Sequence, residues 1–168
     1  MTVEQRPTRE LLLHGILGGL VAGIVFILAE MVMAVALGGN FLDPLRVIGS
    51  VTLSMFTYPP AFGLETTAIV ALIAHFILSA IYGLIFTYFM AYTDQLGANA
   101  GLLLLYGMVF GFVLWLVNFL IIAPFAFPQF GMIDPFWQGF VAHTFFYGTV
   151  LGGYTAATRA GRAGALIE

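Results

Sequence analysis

Cysteine and lysine are both missing from this chain, and only 8% of its 168 residues are charged. Without cysteine there is no disulfide, no thiolate ligation of an iron–sulfur cluster, no c-type haem attachment and no thiol nucleophile. No glycine-rich loop runs into Lys-Ser/Thr, and neither G-x-S-x-G nor H-E-x-x-H occurs, which removes the familiar phosphate-binding, hydrolase and zinc-protease signatures. A formal net charge of -3, spread thinly, gives no electrostatic footprint for nucleic acid. A soluble domain carries roughly 25% charged residues. This chain, 61% hydrophobic with a mean hydropathy of +1.05, reads as an integral membrane protein.

The few charges punctuate the sequence. After Glu65 the next formally charged residue is Asp94, then Asp134, then Arg159. A spanning helix needs about 20 apolar residues, so the gaps predict an all-α protein of one domain with four transmembrane helices, near 11–37, 64–92, 98–123 and 136–158. Pro124 and Pro128 end the third, and Asp134-Pro135 offers an N-cap and first-turn proline for the fourth. Asp43-Pro44 is the same pair and opens a short interfacial helix between the first two spans.

Arg6, Arg9, Arg159 and Arg162 flank the two ends of the chain, and only Arg46 falls in a loop of the other side. Arginines collect on cytoplasmic flanks, so both termini are expected in the cytoplasm and the protein in the cell (inner) membrane. "AVA" at 34–36 resembles a signal-peptidase site, but the apolar stretch before it exceeds an h-region and ends near Glu30, which favours a span.

Ionisable groups inside a bilayer are costly and mark functional sites. Here they are Glu30, His75 and His143, with Asn118 as a neutral companion. Helical spacing puts Gly15, Gly19, Gly23 and Glu30 on one stripe and Gly107, Gly111 and Asn118 on another with the same spacings of four and seven; small residues so placed let helices approach closely. His75 shares a face with Ala71, Ser79 and Tyr82, and His143 with Gly139, Tyr147 and Tyr154. Counted at 1.5 Å per residue from the outward ends, Glu30 and Asn118 lie about 8 to 10 Å deep and the two histidines about 12 to 16 Å deep. The four polar side chains are therefore expected to face inward at overlapping depths. The repeated spacings, an Asp-Pro after spans 1 and 3 and an Ala-His in spans 2 and 4 suggest a duplicated helical hairpin with a pseudo-twofold axis along the membrane normal, although 20 glycines make G-x-x-x-G common by chance.

Two imidazoles on different helices can supply the axial pair of a b-type haem, and with Glu30 and Asn118 they can form a donor set for a transition metal. The expected function is haem or metal binding, as an accessory or electron-transfer subunit. Two alternatives stand beside it: a small transporter or proton-coupled carrier, and a purely structural subunit whose polar groups act as interhelical glue. Catalysis is the least supported reading, since no nucleophile and base stand at a recognisable spacing. The aromatic, proline-rich loops "SMFTYPPAFG" and "FAFPQFGMIDPFW" suggest contact with the bilayer interface, other membrane subunits or a second copy. Tyr82, Tyr88, Tyr92 and Tyr106 read as interface anchors.

Overall fold

The computed structural model describes residues 8–54, 63–126 and 136–165, with side chains as far as Thr158. The described residues are helical apart from short turns. Helix α1 is Thr8–Ala36, α2 Asp43–Ser54 and α3 Leu64–Tyr92; a short 3₁₀ turn, Gln95–Gly97, leads to α4, Ala100–Leu116. The backbone then widens into a π-helical stretch, Val117–Ile122, before one closing turn, α5, Ala123–Ala126. The last rod begins as α6, Phe136–Val141, passes through a second π stretch, Ala142–Gly148, and ends as α7, Thr149–Ala165.

Three of these helices are long and apolar enough to cross a membrane: Thr8–Ala36, Leu64–Tyr92 and Ala100–Phe125, with mean hydropathies of 2.5, 2.4 and 2.3 over their best windows. The molecule is an all-helical membrane protein. Asp134-Pro135, Arg6 and most of both aromatic loops lie outside the described residues.

Local chemistry sets the boundaries. At the end of α1, Gly38 takes φ +86°, a conformation an L side chain resists. Its N–H donates to Val35 O (3.0 Å) and that of Gly39 to Ala34 O (2.8 Å), so the last carbonyls of α1 are satisfied by a Schellman turn. Asp43 then accepts from the Asn40 backbone N–H at 2.6 Å, and Pro44 fills the first turn of α2, where its missing N–H costs nothing. The Asn40 bond, together with Arg46 Nη1 at 2.9 Å from Asp43 Oδ1, holds the Asp43 carboxyl below the ordinary aspartate range. Asn99 caps α4 by accepting from Leu102 N–H at 3.0 Å.

Packing runs through glycines. A Cβ on Gly19 would collide with Ser79 O, and one on Gly83 with Gly15 O, so α1 and α3 touch backbone to backbone. In the second pair of rods a Cβ on Gly107 would collide with Gly148 O, one on Gly111 with His143 O, and one on Gly152 with Leu103 O. Gly23 faces the side chains of Ser79 and His75. α1 packs in addition on the last rod, where Gly18 leaves room for the Tyr154 ring and Leu151. α3 and α4 lack such a contact; Phe86 and Phe110 bridge them with ring centroids 5.2 Å apart. Away from α2, Ala22, Phe86, Met90, Leu103 and Leu151 are buried in the interior.

Candidate functional site

At the α2 end the interior is not solid. A cavity of about 670 Å³ lies between α1, α3, α4 and the last rod, with α2 along its rim. It follows α1 from Phe26 to Leu37, about 16 Å at 1.5 Å per residue. Its walls are mostly aliphatic and aromatic. Glu30, His75, Asn118 and His143 all line it, each from a different rod. The two π stretches carry two of them, Asn118 and His143. Such wide turns re-aim side chains and recur at functional sites.

Each polar group is anchored by a neighbour. His75 Nε2–H donates to Gly23 O at 2.9 Å, and His143 Nδ1–H donates to Gly139 O at 2.8 Å. A carbonyl oxygen only accepts, so in the neutral rings these contacts fix the tautomers. His75 Nδ1 and His143 Nε2 are left as lone-pair acceptors, and no described residue donates to them. Gln138 Nε2 donates to Glu30 Oε2 at 2.9 Å, joining the last rod to α1. Tyr82 donates its hydroxyl hydrogen to Asn118 Oδ1 at 3.0 Å, joining α3 to α4. Tyr147 donates to Ser79 O at 2.7 Å.

The Phe26 ring lies against both imidazoles, stacked on His75 (centroids 5.4 Å apart, 28° between planes) and edge-on to His143 (4.7 Å, 82°). Phe119 also meets His143 edge-on, at 5.7 Å. No arginine is among the described residues that line the cavity, whereas Glu30 and Asp43 are. Among the described residues no three of His, Asp and Glu stand together as a metal site requires.

Sequence reasoning missed several members of this wall. Tyr82, which helical spacing puts on the His75 face although it also reads as an interface anchor, turns inward to Asn118; Tyr106 pairs with Gln95 Oε1 at 2.9 Å, and Tyr92 is exposed. Gln138 was overlooked, although an amide side chain in an uncharged helical run is the same signal that singled out Asn118. His14 does not line the cavity and pairs with the Tyr154 hydroxyl at 3.1 Å. Phe26 and the α2 residues of the rim carry no signal in isolation. The five stripe glycines are all in the helix contacts described above.

Comparison with family models, with curated proteins and with solved structures finds no match to this chain.

Proposed function

We propose that the protein is a four-span membrane subunit whose cavity binds a small lipid-soluble molecule without chemical conversion. The observation that carries this reading is the cavity itself: one largely apolar space that all four intramembrane polar side chains line. Apolar walls with a few fixed polar groups are the usual build of a small-molecule site.

The fourth span is the rod from Phe136 onward, uncharged until Arg159. With four crossings both termini lie on the arginine-rich, cytoplasmic side of the cell membrane, and the cavity lies in the outward half. A duplicated hairpin is supported by matching contacts. Gly19 meets Ser79 as Gly107 meets Gly148, and Gly83 meets Gly15 as Gly152 meets Leu103. In α3 the residues His75, Ser79 and Gly83 are spaced by four and four; in the last rod His143, Gly148 and Gly152 are spaced by five and four. The extra residue falls inside the π stretch, the structure that a one-residue insertion leaves in an α-helix.

An uncharged occupant suits this lining better than haem. The two propionates of a haem would find no cation among the lining residues, and the Phe26 ring stands against both imidazoles where the macrocycle would lie. A metal ion would need Glu30 released from Gln138 and both histidines turned toward one point. A second reading, the proton-coupled carrier, is favoured by Glu30, a carboxyl on the wall that links α1 to the last rod; Glu30→Gln would then abolish pH-dependent flux and keep the fold.

The test is native mass spectrometry of the full chain released from bilayers, with an absorption spectrum and metal analysis of the same sample. A retained organic molecule, lost in the cavity-filling variant Ala74→Trp, is expected. A visible haem band or stoichiometric metal would replace this reading with the haem or metal one. A folded protein that carries nothing, and that no lipid-soluble compound stabilises, would overturn both.

A further inference from the structure

The unsatisfied groups of the wall describe their occupant. This inference rests on the cavity being a binding site and concerns what enters it and by which route. Both histidines have spent their N–H on backbone carbonyls, so each offers a bare ring nitrogen. Tyr82 and Tyr147 have likewise spent their hydroxyl hydrogens, on Asn118 Oδ1 and Ser79 O. The donors that remain on the wall are the Ser79 hydroxyl, one helical turn from His75 on the same face, and the Asn118 amide nitrogen. Acceptor and donor thus stand side by side. A hydroxyl group, which donates once and accepts as well, satisfies both together; an ether or a carbonyl only accepts and leaves the ring nitrogens bare.

The shape of the polar zone is aromatic. Phe26, Phe119 and Tyr147 line it, and Phe26 already packs on an imidazole in the stacked geometry that a flat ring adopts. No arginine is among the described residues that line the zone, which disfavours fatty-acid carboxylates and phosphate headgroups.

The route is lateral. Leu78 of α3 and Ile122 of the first π stretch both line the cavity and are 47% and 41% exposed. Leu78 sits midway along α3, about 21 Å from either end at 1.5 Å per residue, a depth inside the hydrocarbon of a bilayer about 30 Å thick. The α3–α4 seam lacks the glycine contacts that close the α1–α3 seam and the one between α4 and the last rod. An apolar tail leaving there stays in lipid.

We infer that the cavity takes, from the bilayer between α3 and α4, an uncharged molecule with a phenolic hydroxyl on a flat head and an apolar tail. The hydroxyl donates to the free nitrogen of His75 or His143, and the tail passes between Leu78 and Ile122.

Two probes that differ in one hydrogen-bond donor test this: 4-nonylphenol and its methyl ether, titrated into the full chain in phosphatidylcholine nanodiscs. Nanodiscs carrying Ala74→Trp measure uptake by lipid alone. The phenol is expected to bind about tenfold tighter than the ether, the scale of one buried hydrogen bond left unmade. His75→Phe and His143→Phe together bring the phenol to the level of the ether, and Leu78→Trp with Ile122→Trp slows its uptake several-fold. Equal saturable binding of phenol and ether would overturn the hydroxyl assignment and leave the binding cavity standing. Unchanged uptake in the tryptophan pair would overturn the lateral route. Absence of saturable binding by both probes, with no retained molecule in the native protein, would remove the cavity reading itself.

Discussion

Tyr147 donates its hydroxyl hydrogen to the backbone carbonyl of Ser79 at 2.7 Å, tying the second π stretch to the middle of α3. The same carbonyl is the atom that a Cβ on Gly19 would strike. One backbone oxygen therefore marks the place where α1, α3 and the last rod converge, next to the cavity. Tyr147→Phe removes the bond and keeps the ring. The expected loss is about 0.6 to 1 kcal/mol, the range for a hydrogen bond between membrane helices, read as a shift in an unfolding titration in mixed micelles.

The glycine seams predict a sharper response. Gly19→Ala and Gly107→Ala each drive a methyl group into a carbonyl of the facing helix, and overpacking of this kind costs about 1 to 3 kcal/mol. Gly153→Ala is the control: its Cβ would stand 3.6 Å from Leu104 Cδ2, an ordinary contact. The unfolding midpoint should fall for the first two variants and hold for the third. Equal effects at all three would show that helix propensity, and not contact, sets the outcome.

Glu30 and Gln138 form a side-chain joint between α1 and the last rod. Gln138→Leu leaves the carboxyl without that donor and is expected to cost about 1 to 3 kcal/mol. Adding Glu30→Leu removes the stranded group, so the double variant should be more stable than Gln138→Leu alone. A double-mutant cycle reads the coupling, and simple additivity would mean that the two side chains do not interact.

Asp43 governs the entry to α2. Its carboxyl is held below the ordinary aspartate value, first by the Asn40 N–H. A depressed folded-state pKa contributes stability that is present above the unfolded value and is lost as pH falls through the folded one. The hydrogen-exchange protection factors of the Asn40 to Arg46 amides should therefore fall below the ordinary aspartate range. Asp43→Asn should make those protection factors insensitive to pH. The pair is surface-exposed, so the effect stays local and leaves the midpoint of global unfolding nearly unchanged.

Gaps between charges located the three long helices to within a few residues: 11–37 against Thr8–Ala36, 64–92 against Leu64–Tyr92, and 98–123 against Ala100–Ala126. That worked because an apolar run too long for a loop has one stable form in lipid. Helical spacing also picked the four polar residues that line the cavity, since a costly side chain turns away from lipid whatever its partner. The partners themselves were illegible. Gln138 reaches Glu30, and Tyr82 reaches Asn118, across helix pairs that no local pattern specifies. Phe26 reads as one more apolar residue until α3 and the last rod are set on either side of α1. The π stretches leave no mark on a single strand of sequence. The outline came from solvation, and the site from packing.

The contrast between the two ends of the bundle has a consequence for traffic. Phe86, Met90, Leu103 and Leu151 plug the end away from α2, while the α2 end stays hollow. On the proposed reading, a guest held at the α2 end would reach the other end of the bundle only if those four side chains moved apart, and an assay of transfer along the bundle would report that event rather than binding.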